Sequence, residues 1–100
     1  MNLRQYWIVI ERGPHNCSAF SPDVLGCAAT GSSVEQTLAG MRRALRLHLE
    51  GMIEDGDPLP RSHNLSWHLR HSDGFAPALD DLITQIEVEL PVHGRVFAAA

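Results

Sequence analysis

The strongest constraint on this chain is one long amphipathic segment, residues 31–56, GSSVEQTLAGMRRALRLHLEGMIEDG. Val34, Leu38, Met41, Leu45, Leu49 and Met52 recur three or four positions apart, the spacing of one helix face. Ser33 followed by Gln36 reads as a capping box, and Ser32 with Glu35 offers the same device one residue earlier. Glu35 stands in the first turn, where negative charge suits the helix dipole. Gly56 supplies a residue able to turn left-handed, and Pro58 and Pro60 forbid continuation. A helix over residues 34–55 is about 33 Å long at ~1.5 Å per residue, enough to cross a small domain. Its apolar stripe needs a platform. The rest of the chain has to supply a sheet.

Residues 5–11, QYWIVIE, are rich in aromatic and β-branched side chains, stop at Gly13-Pro14, and are apolar on both faces, which predicts a central strand. Alternation sends Tyr6, Ile8 and Ile10 one way and Trp7 and Val9 the other. A second strand is expected over residues 16–20, stopped by Ser21-Pro22-Asp23. A third is expected over residues 27–30, where the small Cys27, Ala28 and Ala29 let the helix approach closely. Residues 58–78 hold three prolines and three of the six histidines, and read as a long surface connection. Within it a short extended or helical piece is expected around residues 64–69, and a turn of helix follows at 80–83. Residues 84–90, TQIEVEL, alternate cleanly, with Ile86, Val88 and Leu90 inward and Gln85, Glu87 and Glu89 outward. The acidic outer row also discourages stray edge pairing. The order β-β-β-α-β predicts an α+β fold, an antiparallel meander with one long helix packed on one face.

One hundred residues bound a single domain with a single core. We place that domain at residues 1–91 and a short tail at 92–100. No apolar run approaches the ~20 residues of a membrane span, and no cleavage site follows the first residues, so neither a membrane anchor nor a leader is expected. Cys17 and Cys27 fit no metal spacing and read as reduced core thiols of a cytoplasmic protein. Twelve acids against eight bases, all of them arginine, give a net charge of −4. That balance argues against a nucleic-acid surface and suits a basic protein partner.

At this point the residues resemble those of the HicB-type antitoxin domain. The pieces are Tyr6-Trp7-Ile8-Val9-Ile10-Glu11, then Pro22-Asp23-Val24-Leu25-Gly26-Cys27, then Gly31-Ser32-Ser33-Val34-Glu35-Gln36-Thr37-Leu38, then Gly56-Asp57-Pro58-Leu59-Pro60. The closing Ile86-Glu87-Val88-Glu89-Leu90-Pro91 is similar to that family's last strand. On this resemblance Tyr6, Pro22, Asp23, Gly26, Cys27, Gly31, Ser33, Gly56 and Pro60 are structural motif positions. It implies a degenerate ribonuclease-H-like fold and a role in neutralising a small basic mRNA-cleaving toxin of the HicA type. Such antitoxins usually carry a DNA-binding domain after the last strand. Only nine residues follow Pro91, so no specific DNA binding is expected. The long 61–82 connection is a second departure.

Catalytic constellations are weak. A ribonuclease-H site needs clustered carboxylates holding two metal ions, and Glu11, Asp23 and Glu35 are scattered over a strand end, a turn and a helix start. His63, His68 and His71 sit in a Pro-rich connection without a paired spacing, and read as a solvated polar loop rather than a zinc site. His48 lies beside the apolar stripe and is expected at the core boundary. Cys17 and Cys27 have no histidine at an obvious partner position. Arg42, Arg43 and Arg46 read as a solvated helix face. No catalytic residue, metal or cofactor is therefore assigned. Glu11, Asp23, Trp67, Glu87 and Glu89 are the candidate partner contacts, Trp67 as an aromatic anchor without a core assignment. The leading reading is a non-enzymatic antitoxin-type binding protein that works by occlusion. Surface left over beside the sheet predicts a homo-oligomer, a dimer or tetramer. A stand-alone oligomeric regulatory or small-ligand-binding domain, and a residual hydrolase or metal enzyme, are the open alternatives.

Overall fold

A computed structural model describes residues 2–71, 77–78 and 80–91. Six elements follow in order: β1 (Asn2–Arg12), β2 (Cys17–Phe20), β3 (Ala28–Gly31), α1 (Val34–Asp55), α2 (Leu65–His71) and β4 (Leu82–Leu90). The sheet is antiparallel throughout, in the order β3-β2-β1-β4. β1 and β2 are the inner strands, and β1, the longest and apolar on both faces, carries the longest pairing. It pairs with β4 from Asn2 opposite Leu90 to Ile10 opposite Leu82, and its second half also pairs with β2.

α1 starts and stops where its sequence dictates. Ser33 is extended and accepts a hydrogen bond from the Gln36 amide through its hydroxyl at 3.1 Å. The Gln36 side chain reaches back one residue further than in a standard capping box, taking the Ser32 amide at 3.2 Å and the Ser32 hydroxyl. At the other end Gly56 adopts a φ of 76°, and the amides of Gly56 and Asp57 donate to Ile53 and Met52 carbonyls. Those paired bonds are the Schellman arrangement that left-handed glycine permits.

Met41, Leu45 and Leu49 lie fully buried beneath this helix, against Tyr6, Ile8, Ile10, Ile86, Val88 and Leu90 from the sheet. Both strand alternations are therefore those expected from the sequence. The small third strand also behaves as expected: a Cβ built on Gly40 of α1 falls 3.6 Å from the Ala29 Cβ. That is ordinary contact, and Gly51 faces open space. Gly40→Ala and Gly51→Ala should each therefore raise stability by about 0.5–1 kcal/mol through helix propensity. Urea denaturation midpoints measure this, and a loss in either variant would mean the helix sits closer to β3 than described.

Several boundaries shift. β1 runs to Asn2 because β4 offers it partners along its whole length. The helical turn expected at residues 80–83 gives way to an earlier start of β4, since Ile83 pairs opposite Val9. A tight turn precedes it, closed by the Asp81 amide on the Ala78 carbonyl and by the Ala78 amide on the Asp81 carboxylate. The helical piece expected near residues 64–69 is α2, capped by the Asn64 side chain, which accepts from the Trp67 amide at 2.8 Å. The tail at residues 92–100 lies outside the described residues. His48 is exposed rather than at the core boundary, on a shallow depression lined also by Gly26, Cys27, Ala28, Ala44 and Leu47.

Candidate functional site

The motif positions divide by what they do. Gly31 has no room for a side chain: a Cβ there would lie 2.7 Å from Thr37 Oγ1 and 2.8 Å from the Thr37 amide nitrogen. Gly26 turns the β2–β3 connection with a φ of 82°. Cys27 is buried, and burial pushes its thiol up, away from the thiolate form that nucleophilic chemistry needs. Both cysteines are free. The Tyr6 hydroxyl donates to the Pro60 carbonyl at 2.9 Å, fastening the segment after α1 to β1. Burial raises the Tyr6 phenol, Arg4 opposes that, and Asp23 adds to it.

Asp23 is the residue whose role the sequence did not disclose. Its side chain is 1% exposed and faces inward, so it is not available as an acidic contact for a partner. One carboxylate oxygen accepts from the His63 amide at 3.2 Å. The other lies 2.9 Å from His63 Nδ1 and 3.0 Å from His68 Nε2. His68 is itself 1% exposed, against 27% for His63. The solvated-loop reading of these histidines is therefore wrong for His68: α2 turns its side chain inward. The local signal was Asn64, a good helix cap ahead of a histidine one turn on. No local pattern connects the rings of His63 and His68 to an aspartate 40 and 45 residues back.

Trp67 is half-buried within the same group. It stacks with His63 at a ring separation of 3.7 Å and with His71 at 4.7 Å, and meets His68 edge-on at 5.3 Å. Positions 67 and 71 fall one turn apart on α2, so that stacking follows from helical spacing, whereas His63 reaches Trp67 from ahead of the Asn64 cap. Trp67 is thus already engaged within its own chain.

The remaining candidates lie elsewhere. Glu87 and Glu89 are exposed on the side of the sheet away from α1, opposite Gln5 and Leu3, and Gln5 donates to Glu87. Glu11 is exposed on that same side at the end of β1. Glu11, Asp23 and Glu35 do not come together as a carboxylate cluster among the described residues. Arg42, Arg43 and Arg46 are exposed, with Arg46 paired to Glu50 at 3.2 Å.

A family model described as HicB_like antitoxin of bacterial toxin-antitoxin system matches residues 6–92. The chain belongs to that family. Among solved structures, the HicB-like chain is similar to the N-terminal domain of Burkholderia pseudomallei antitoxin HicB, with a TM-score of 0.69 and 18% identity. That match covers 87% of this chain and all of the other. A second match is to a HicA3 and HicB3 toxin-antitoxin complex, with a TM-score of 0.58 and 19% identity, over 89% of this chain and 100% of that one. At these identities the likeness is one of fold, and it is the α+β fold expected from the sequence. A relative from Haemophilus phage HP1, an uncharacterised 14.9 kDa protein of the rep-hol intergenic region, is 28% identical over 85 residues. That stretch is 85% of this chain, and the chain spans 61% of the phage protein's length.

Proposed function

We propose that this HicB-like protein neutralises a small basic HicA-type mRNA-cleaving toxin by occlusion, without catalysing a reaction itself. The observation that carries the reading is the family match over residues 6–92. The solved HicA3–HicB3 complex of the same fold supports it, as do the exposed acids Glu87, Glu89 and Glu11 on one side of the sheet. A net charge of −4 would draw a basic partner in, setting association rate more than final affinity. Asp23 and Trp67 are engaged internally, with His63 and His68.

The unit that carries this role is residues 1–91. Self-association belongs to the same reading. Leu25 and Leu47 are 84% and 74% exposed, and Leu47 lines a shallow depression with Gly26, Cys27 and Ala28. Pairing there would cover them. No specific DNA binding is proposed, because the stripe of α1 is occupied by the sheet and α2 is anchored to Asp23. No helix among the described residues is long and apolar enough to cross a membrane, and we place the protein in the cytoplasm.

The test is co-expression with a HicA-type toxin, followed by binding kinetics at low salt. The native protein should co-purify with the toxin and restore growth. Glu87→Lys combined with Glu89→Lys should slow association by about ten-fold or more while leaving the circular dichroism spectrum unchanged. Failure of the native protein to bind any such toxin, or unchanged kinetics in the double variant, would overturn the proposal.

A further inference from the structure

We infer that Asp23, His63 and His68 form a binding site for a divalent transition metal ion of the zinc type. The three side chains each offer one ligand atom, and these atoms lie within 4.8 Å of one another. Imidazole nitrogen and carboxylate oxygen are the donors that zinc takes in sites with three protein ligands, at about 2.0–2.2 Å. Around a tetrahedral ion those bonds set the ligand atoms roughly 3.3–3.5 Å apart. The Asp23 oxygen stands 2.9 Å from His63 Nδ1 and 3.0 Å from His68 Nε2, and all three ligand atoms lie within 4.8 Å, so an ion enters by opening the two oxygen–nitrogen distances slightly and setting the two nitrogens to the tetrahedral spacing.

The surroundings hold the donors in place. The His63 amide occupies the second carboxylate oxygen, which aims the first at both rings. Trp67 stacks on His63 and meets His68 edge-on, fixing both ring planes. Asn64 caps the helix on which Trp67 and His68 stand. Orientation of this kind by neighbouring groups is what tunes a metal site beyond its ligands. The Asp23 and His68 side chains are shielded from water, whereas His63 is 27% exposed and marks the side from which an ion and a fourth, solvent ligand arrive.

The metal takes the lone pair of each ligating ring nitrogen, so each neutral ring carries its single proton on its other nitrogen, and any proton in excess of that leaves to solvent. No oxidant or co-reactant is needed. The ion would bind residues 63–68 to the β2–β3 connection more firmly than hydrogen bonds alone. This inference stands apart from toxin binding, since it concerns the inner side of the connection rather than the acidic sheet surface.

The experiment is a titration of the metal-free, full chain with cobalt(II), read by visible absorption, then displacement by zinc(II). One equivalent of cobalt should produce a ligand-field band, zinc should abolish it, and zinc should raise the thermal midpoint. His63→Ala, at the exposed edge of the group, should weaken cobalt binding by at least about ten-fold with the circular dichroism spectrum unchanged. His71→Ala, which removes a ring stacked on Trp67 outside the donor set, should bind cobalt as the native chain does. A native chain that gives no band overturns the site. So does a band that survives His63→Ala at full affinity or disappears in His71→Ala.

Discussion

Asp23→Ala should lower stability by about 2–4 kcal/mol, a large loss for a substitution in a connecting loop. The carboxylate is buried, accepts from the His63 amide and lies against both His63 and His68. Removing it leaves an amide and a buried imidazole facing a void, and an unmet buried polar group costs about 1–3 kcal/mol. The damage should be spatially uneven. α2 is joined to the rest of the fold through this contact, while the α1–sheet core does not depend on it. Amide exchange should therefore speed up over residues 63–71 well before the core strands respond. Asp23→Asn, which keeps the volume and one acceptor oxygen, should lose less. An unchanged urea midpoint in Asp23→Ala would mean the three groups do not meet in solution.

Leu45→Ala should cost about 2–5 kcal/mol, the range for deleting a fully buried leucine side chain. Leu45 lies at the centre of α1, one turn from both Met41 and Leu49, and none of the three is accessible to water. The helix bridges the sheet, so the cavity cannot close without moving the whole element. Leu47→Ala, two residues on, should stay within about 0.5 kcal/mol because that side chain is mostly exposed. The contrast tests the rotational phase of the helix. Equal losses at the two positions, measured as urea midpoints with an unchanged slope, would show that α1 is turned differently on the sheet.

The glycines and caps singled out in the sequence act mainly as local folding instructions, and that explains why so much of the fold was legible without a structure. Ser33 and Gly56 mark the two ends of α1, Gly26 turns a connection, and Gly31 is where the chain passes too close to Thr37 for any side chain. Each of these acts on neighbours within six residues. Tyr6 and Pro60 are different, because their hydrogen bond joins positions 54 apart.

Local periodicity determined α1, the inward faces of β1 and β4, and the α+β class, because burying one face of a helix or strand leaves a repeat of 3.6 or 2 in the residues themselves. Tertiary structure alone decided three things. It set Asp23 against His63 and His68 across 40 and 45 residues of chain. It turned Trp67 from a free aromatic into one stacked with two histidines, and it left His48 exposed on a shallow depression beside Gly26, Cys27 and Ala28. In each case the outcome depends on what lies opposite in space. A side chain records which face of its own element it occupies, but carries no mark of the distant residue that face will meet.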